Sequence, residues 1–130
     1  MTTLEIAELI IWHCFDKVEP ATKETLNCYL FLMNRYSLKT FGKPLTTDIC
    51  FCHDKNYPYI PRITDKYPYP GEILPSGERP KTEISGELRW FLDGLIKYNK
   101  KNPFKILADC KKLQKSFTDV YNELVNIDEM

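Results

Sequence analysis

Apolar residues recur at helical intervals over the first forty residues. Leu4, Ala7, Ile11, Cys14, Phe15 and Val18 mark one stripe, and Ile6, Leu9 and Ile10 widen it. This predicts a largely buried helix over residues 3–18. Thr2 and Glu5 have capping-box spacing at its start, and Pro20 ends it. Thr22 is placed to cap a second helix running to about Phe41, with Leu26, Tyr29, Leu30, Met33 and Tyr36 on one face. Gly42 suits the left-handed position after that helix, and Pro44 prevents its continuation. The 26–45 segment is thus a scaffold signature without obvious chemistry.

The pattern then changes period. Thr47–His53 alternates, with Ile49 and Phe51 on one side and Asp48, Cys50 and Cys52 on the other, which predicts a strand. A strand needs a partner, and Ile60–Thr64 or Glu72–Leu74 could supply it. Residues 57–80 hold six of the nine prolines, so helix is excluded there and a long loop is expected. Ile84, Leu88, Phe91, Leu92, Leu95 and Tyr98 predict a third helix over residues 83–100. Gly94 within it costs about 1 kcal/mol relative to alanine, and close helix packing would explain its presence. Asn102-Pro103 reads as a cap and first position of a short helix carrying Phe104, Leu107 and Ala108. Ser116 is placed to cap a last helix with Phe117, Val120, Tyr121 and Leu124. The fold class is mainly α: a compact helical domain of about five helices, with a small two- or three-stranded β element between helices 2 and 3. No internal repeat or low-complexity tract interrupts residues 1–130, which read as a single domain.

Composition agrees. An apolar fraction of 43% with 18 acids against 18 bases describes an ordinary globular domain that needs neither disulfide nor metal to fold. Five scattered cysteines, Cys14, Cys28, Cys50, Cys52 and Cys110, read as reduced thiols of a cytoplasmic protein. The opening MTTLEIAELI lacks the basic region of a signal peptide, and no apolar run approaches the ~20 residues that cross a membrane.

Balanced charge conceals segregation. Lys97 to Lys115 contains seven lysines and one acid, Asp109, whereas Met1 to Leu30 carries five acids and two bases. The lysine run reads first as a solvated helix face and second as a surface for an acidic partner or nucleic acid. It contains no arginine, which weakens base readout. Tyr57, Tyr59, Tyr67 and Tyr69 in the proline-rich segment either pack on the helices or bind a partner, since tyrosine supplies large contact area at low entropic cost. These four tyrosines with Lys105, Lys111, Lys112 and Lys115 are the candidate partner-binding residues. The tyrosines and lysines are not interleaved, so nucleic acid is the less favoured partner.

Catalytic chemistry finds little support. Cys50-x-Cys52-His53 with His13 has soft ligands for zinc but not knuckle spacing. A Cys–His nucleophile would have to use His13 or His53, and neither has a suitable local context. The glycines form no phosphate-cradling loop, and acid pairs such as Glu5 and Glu8 look solvated. No cofactor, metal ligand or catalytic residue is assigned.

Several of these segments resemble the Panacea domain family, the SocA-like group of phage-associated antitoxins. Ala7 sits in the first helix and Leu26–Leu32 in the Leu/Tyr-rich run. Tyr36-Ser37-Leu38-Lys39-Thr40-Phe41-Gly42-Lys43-Pro44-Leu45 is similar to the family's turn, and Ile49 takes the place of the strand isoleucine. Leu92–Tyr98 and Leu107 follow in the same order. Tyr57-Pro58 stands where the family has Gly-Pro, and the Cys110–Lys112 stretch and Phe117 stand where it has His and Trp. The resemblance implies a non-enzymatic interaction module that neutralises or occludes a bacterial protein, a toxin or a subunit of a defence complex. An anti-CRISPR-like, phage-encoded inhibitor is one alternative, and a Cys/His metal or thiol enzyme is the alternative of another class. Pairing of the strand across a homodimer stays open.

Overall fold

A computed structural model of the chain describes residues 2–17, 19–46, 48, 59–69, 71–102 and 105–112, with Lys111 and Lys112 described by backbone alone. Helix α1 spans Thr3–Asp16. The Thr2 side chain accepts a hydrogen bond from the Glu5 N–H at 3.2 Å, as the capping spacing predicts. The helix stops at Asp16, two residues short of the predicted end. Helix α2 spans Lys23–Phe41. Thr22 and Thr25 cap it reciprocally: Thr25 N–H donates to Thr22 Oγ1 at 3.3 Å, and Thr22 N–H donates to Thr25 Oγ1 at 2.9 Å. Gly42 closes it at φ 76° with its N–H on the Leu38 carbonyl, in the left-handed conformation that glycine adopts without a Cβ penalty.

Helix α3 spans Pro61–Lys66, α4 spans Gly86–Lys101 and α5 spans Lys105–Lys112. Ser85 caps α4 by accepting the Leu88 N–H at 3.2 Å. The described residues are mainly helical and share one core. Ile6, Ile10 and Cys14 of α1 meet Leu26, Leu30 and Met33 of α2 and Leu88, Leu92 and Ile96 of α4. Ile106 and Cys110 of α5 join them. Each such side chain contributes about 1.5–3 kcal/mol on burial. Helices α2 and α4 run antiparallel: Tyr36 reaches Glu87 near the start of α4, while Tyr29 lies beside Asn99 near its end.

The 57–80 segment corrects an expectation. It contains α3, although six prolines argued against helix. Pro61 occupies the first helical position, where its missing N–H is not needed and its fixed φ suits the helix. Ile60–Thr64 is therefore not a strand partner. Glu72–Leu74 does pair, but with the connection between α1 and α2. Ile73 bridges Thr22 antiparallel, and Leu74 donates to the Ala21 carbonyl at 2.8 Å. Of the Thr47–His53 segment only Asp48 is described, and it pairs with Arg62 of α3 at 2.9 Å; the rest of that segment and the last helix from Ser116 fall outside the described residues.

Two buried asparagines of α2 hold the ends of the excursion between α2 and α3. Asn34 Oδ1 accepts the N–H groups of Leu45 at 2.8 Å and Thr46 at 2.9 Å. Its Nδ2 donates to the Leu30 carbonyl at 3.0 Å and to Thr46 Oγ1 at 2.9 Å. One face back along the helix, Asn27 Oδ1 accepts the Ile60 N–H at 3.0 Å. Residues 27 and 34 are two turns apart on the same face, roughly 10 Å along the axis. The chain leaves α2 under Asn34 and returns under Asn27. Ser37 adds a bond from its hydroxyl to the Lys43 carbonyl at 2.9 Å.

Gly94 gives a second correction. A Cβ built there meets nothing within 4 Å, and the residue is exposed. Helix packing does not account for this glycine. Gly94→Ala should raise stability by about 1 kcal/mol, measured as a higher urea midpoint at unchanged slope. A neutral or destabilising result would show strain that the helix geometry does not reveal.

Candidate interaction surface

Helix α4 presents two different faces. Leu88, Leu92, Ile96 and Asn99 point into the core. Opposite them, Gly86, Trp90, Gly94, Lys97 and Lys101 follow one another at helical spacing, and all five are exposed. Trp90 is 73% exposed, the highest value among the exposed large hydrophobic residues. A helical side chain covers the surface over the turn before its own Cα. A long side chain at 94 would therefore shield Trp90, and glycine leaves that flank bare. Space is likewise open around Gly86, the turn toward which Trp90 leans. The result is a bare indole, with Lys97 and Lys101 two and three turns further along the same face.

The edges of this face are fixed by contacts within the protein. The Tyr36 hydroxyl donates to Glu87 Oε1 at 2.6 Å, and the Tyr36 ring stacks on Phe91 with centroids 4.3 Å apart. The Tyr98 hydroxyl donates to Asp109 Oδ2 at 2.8 Å and joins α4 to α5. On the other flank, Lys100 Nζ donates to the Lys17 carbonyl at 3.3 Å. Lys100 and Lys101 also sit in the last turn of α4, where positive charge complements the helix dipole.

The sequence-derived candidates divide. Tyr69 is 66% exposed, whereas Tyr59 and Tyr67 are half-buried. Tyr67 packs against the core, and the Lys66 ammonium lies 5.7 Å from its ring centroid. The segment is anchored by the buried Ile60, Ile63 and Leu74, with Tyr67 packed against the same core. Lys105 is exposed and lies 5.5 Å from the Tyr98 ring centroid. A hydrogen bond with Tyr98, then the charges of Tyr98 and Asp109, raise its pKa. Tyr57, Lys115 and the side chains of Lys111 and Lys112 lie outside the described residues.

Trp90 was not among those candidates, yet its signal was present. On a helix over residues 83–100 it falls opposite Leu88, Leu92 and Leu95, so a helical projection alone places this large aromatic on the outer face.

The described thiols do not suit nucleophilic chemistry. Cys14, Cys28 and Cys110 are buried. Burial pushes the Cys14 thiol up to about 12, with Glu19 adding to the effect, so the reactive thiolate is disfavoured. His13 lies in α1 and is also buried. Among the described residues no cluster of His, Cys, Asp and Glu could hold a metal; Cys50, Cys52 and His53 lie outside them. No helix among the described residues is long and apolar enough to cross a membrane.

Comparison with protein-family models, curated proteins and solved structures returns no match to this chain.

Proposed function

We propose that the protein is a non-enzymatic interaction module that binds an acidic surface of another protein across the outer face of α4. The observation that carries this is Trp90, bare on a helix whose other large apolar residues turn inward. A solvent-exposed tryptophan on a face that ends in two lysines has the character of an interface anchor, since Trp is enriched among residues that dominate binding energy. Lys97 and Lys101 set the sign of the partner by charge complementarity. The partner is occluded by docking and is not chemically altered.

The resemblance of residues 36–45 to the Panacea turn supports an antitoxin-type form of this reading, in which the partner is a bacterial toxin. An inhibitor of a bacterial defence complex would use the same surface. The protein acts in the cytoplasm under either form. A small β element after α2, formed within the chain or across a homodimer, is part of the same proposal.

Reversing charge with Lys97→Glu and Lys101→Glu together should weaken capture of the partner by roughly tenfold or more and flatten its salt dependence. The check is quantitative co-purification with the tagged protein at low and high salt. Salt-insensitive capture, unchanged by the double substitution, would remove the acidic-partner reading. Retention of single-stranded nucleic acid in its place would assign the surface to a different class of partner.

A further inference from the structure

A cleft of about 280 Å³ opens between α1, the extended segment before α4 and the start of α4. Its lining includes His13, Arg79, Lys81, Glu83, Gly86 and Arg89. The chain has only four arginines, and two of them meet here. With His13 neutral, three cations face one acid, Glu83. The surplus is local, because the whole chain carries no net charge.

Two features set this cleft apart from an ordinary basic patch. First, Trp12 organises its wall. The Arg79 guanidinium lies 5.3 Å from the Trp12 ring centroid, and the His13 ring meets the same indole edge-on at 5.2 Å. An arginine held over an aromatic face loses less freedom on binding a ligand. Second, His13 lines the cleft while being only 5% exposed. A buried imidazole at the base of a cationic cleft supplies a donor that a surface lysine patch lacks. Gly86 adds the first turn of α4, whose dipole favours negative charge.

We propose that this cleft binds a small dianionic ligand of the phosphate class, a phosphoryl group or inorganic phosphate, held by Arg79, Lys81 and Arg89 with His13 at its base. Planar guanidinium groups match tetrahedral oxyanions with paired hydrogen bonds, which is why two arginines indicate phosphate more than a lone carboxylate. The volume approaches that of small-ligand pockets, so a phosphorylated small molecule is accommodated. This site adjoins the Trp90 face at Gly86 but does not depend on the interaction reading.

Binding couples to protonation. Burial lowers the pKa of His13 from 6.5, Arg89 and Lys17 add to that effect, and Asp93 and Asp16 oppose it. Arg79, Lys81 and Glu83 are the other charged groups that line the cleft. A bound dianion favours the imidazolium, so it raises the His13 pKa, and affinity rises as pH falls through that pKa.

The test uses the full chain and two probes, sodium sulfate and sodium phosphate, titrated at constant ionic strength against sodium chloride. Sulfate stays dianionic between pH 5.5 and 8, so at constant ionic strength any pH dependence reports the protein. The chain has two histidines, and His13→Gln assigns their imidazole resonances by NMR. Saturable movement of the His13 signal by either probe is expected, with its titration midpoint raised and tighter sulfate binding at pH 5.5 than at pH 7.5. Arg89→Gln should weaken binding about tenfold or more, as loss of one charged contact does, and Lys81→Gln should weaken it less. Trp90→Ala should leave it unchanged. No saturable movement of His13 up to tens of millimolar probe, or equal movement in Arg89→Gln, would overturn the proposal.

Discussion

Asn34→Leu should destabilise the protein by about 3–5 kcal/mol, the largest effect of any single substitution outside the apolar core. The asparagine is 3% exposed and supports two backbone N–H groups that have left the helix, those of Leu45 and Thr46. Leucine fits the space but offers no acceptor. Each buried donor left unpaired costs about 1–3 kcal/mol, and Thr46 Oγ1 loses its partner as well. Domains of this size are stable by about 5–15 kcal/mol, so a third or more of the total is at stake. The measurement is urea unfolding followed by circular dichroism. Asn27→Leu should cost less, about 1–3 kcal/mol, because it strands the Ile60 N–H alone. Equal costs at the two positions, or less than 1 kcal/mol at Asn34, would mean that water reaches these groups readily.

Trp90→Ala should do the reverse. Stability should change by less than about 0.5 kcal/mol, as expected for a surface position without core contacts, while partner affinity falls by about 30-fold or more, the range of an interface anchor. Both halves are needed. A protein that loses binding because it unfolds says nothing about the surface, and the fold does not depend on this indole. Gly94→Ala separates the roles further: it should strengthen the helix and leave Trp90 untouched, since a Cβ there meets nothing within 4 Å.

Periodicity made α1, α2 and α4 legible, and local capping chemistry set their ends. Thr2, Thr22 and Gly42 each act as their residue type and position imply. Helix α3 was hidden by a rule applied too broadly. Proline excludes helix interiors, but Pro61 opens a helix of six residues, too short for a periodic signal. The pairing of Ile73 with Thr22 is a contact between segments fifty residues apart, which no local pattern encodes. The asparagine clamp was legible in part. Asn27 and Asn34 interrupt an apolar face at a spacing of seven, and asparagine inside a helix is unfavourable unless its side chain is used. What they hold could not be read, because the bonded N–H groups carry no sequence identity. Trp90 and the Arg79–Arg89 cleft needed the third dimension in different degrees. A helical projection places Trp90 outside. The cleft joins residues 13, 79 and 89, which only packing of α4 on α1 brings together.

The central claim is that the outer face of α4 is a protein-binding surface built around Trp90. Its most direct test is parallel affinity capture by the wild-type chain and Trp90→Ala from cells that express the protein, with both folded by circular dichroism and quantified by mass spectrometry. The expected result is one protein recovered near stoichiometry with the wild type and depleted at least tenfold with the variant. Equal recovery of that protein with both baits would contradict the claim and move the interface elsewhere on the molecule.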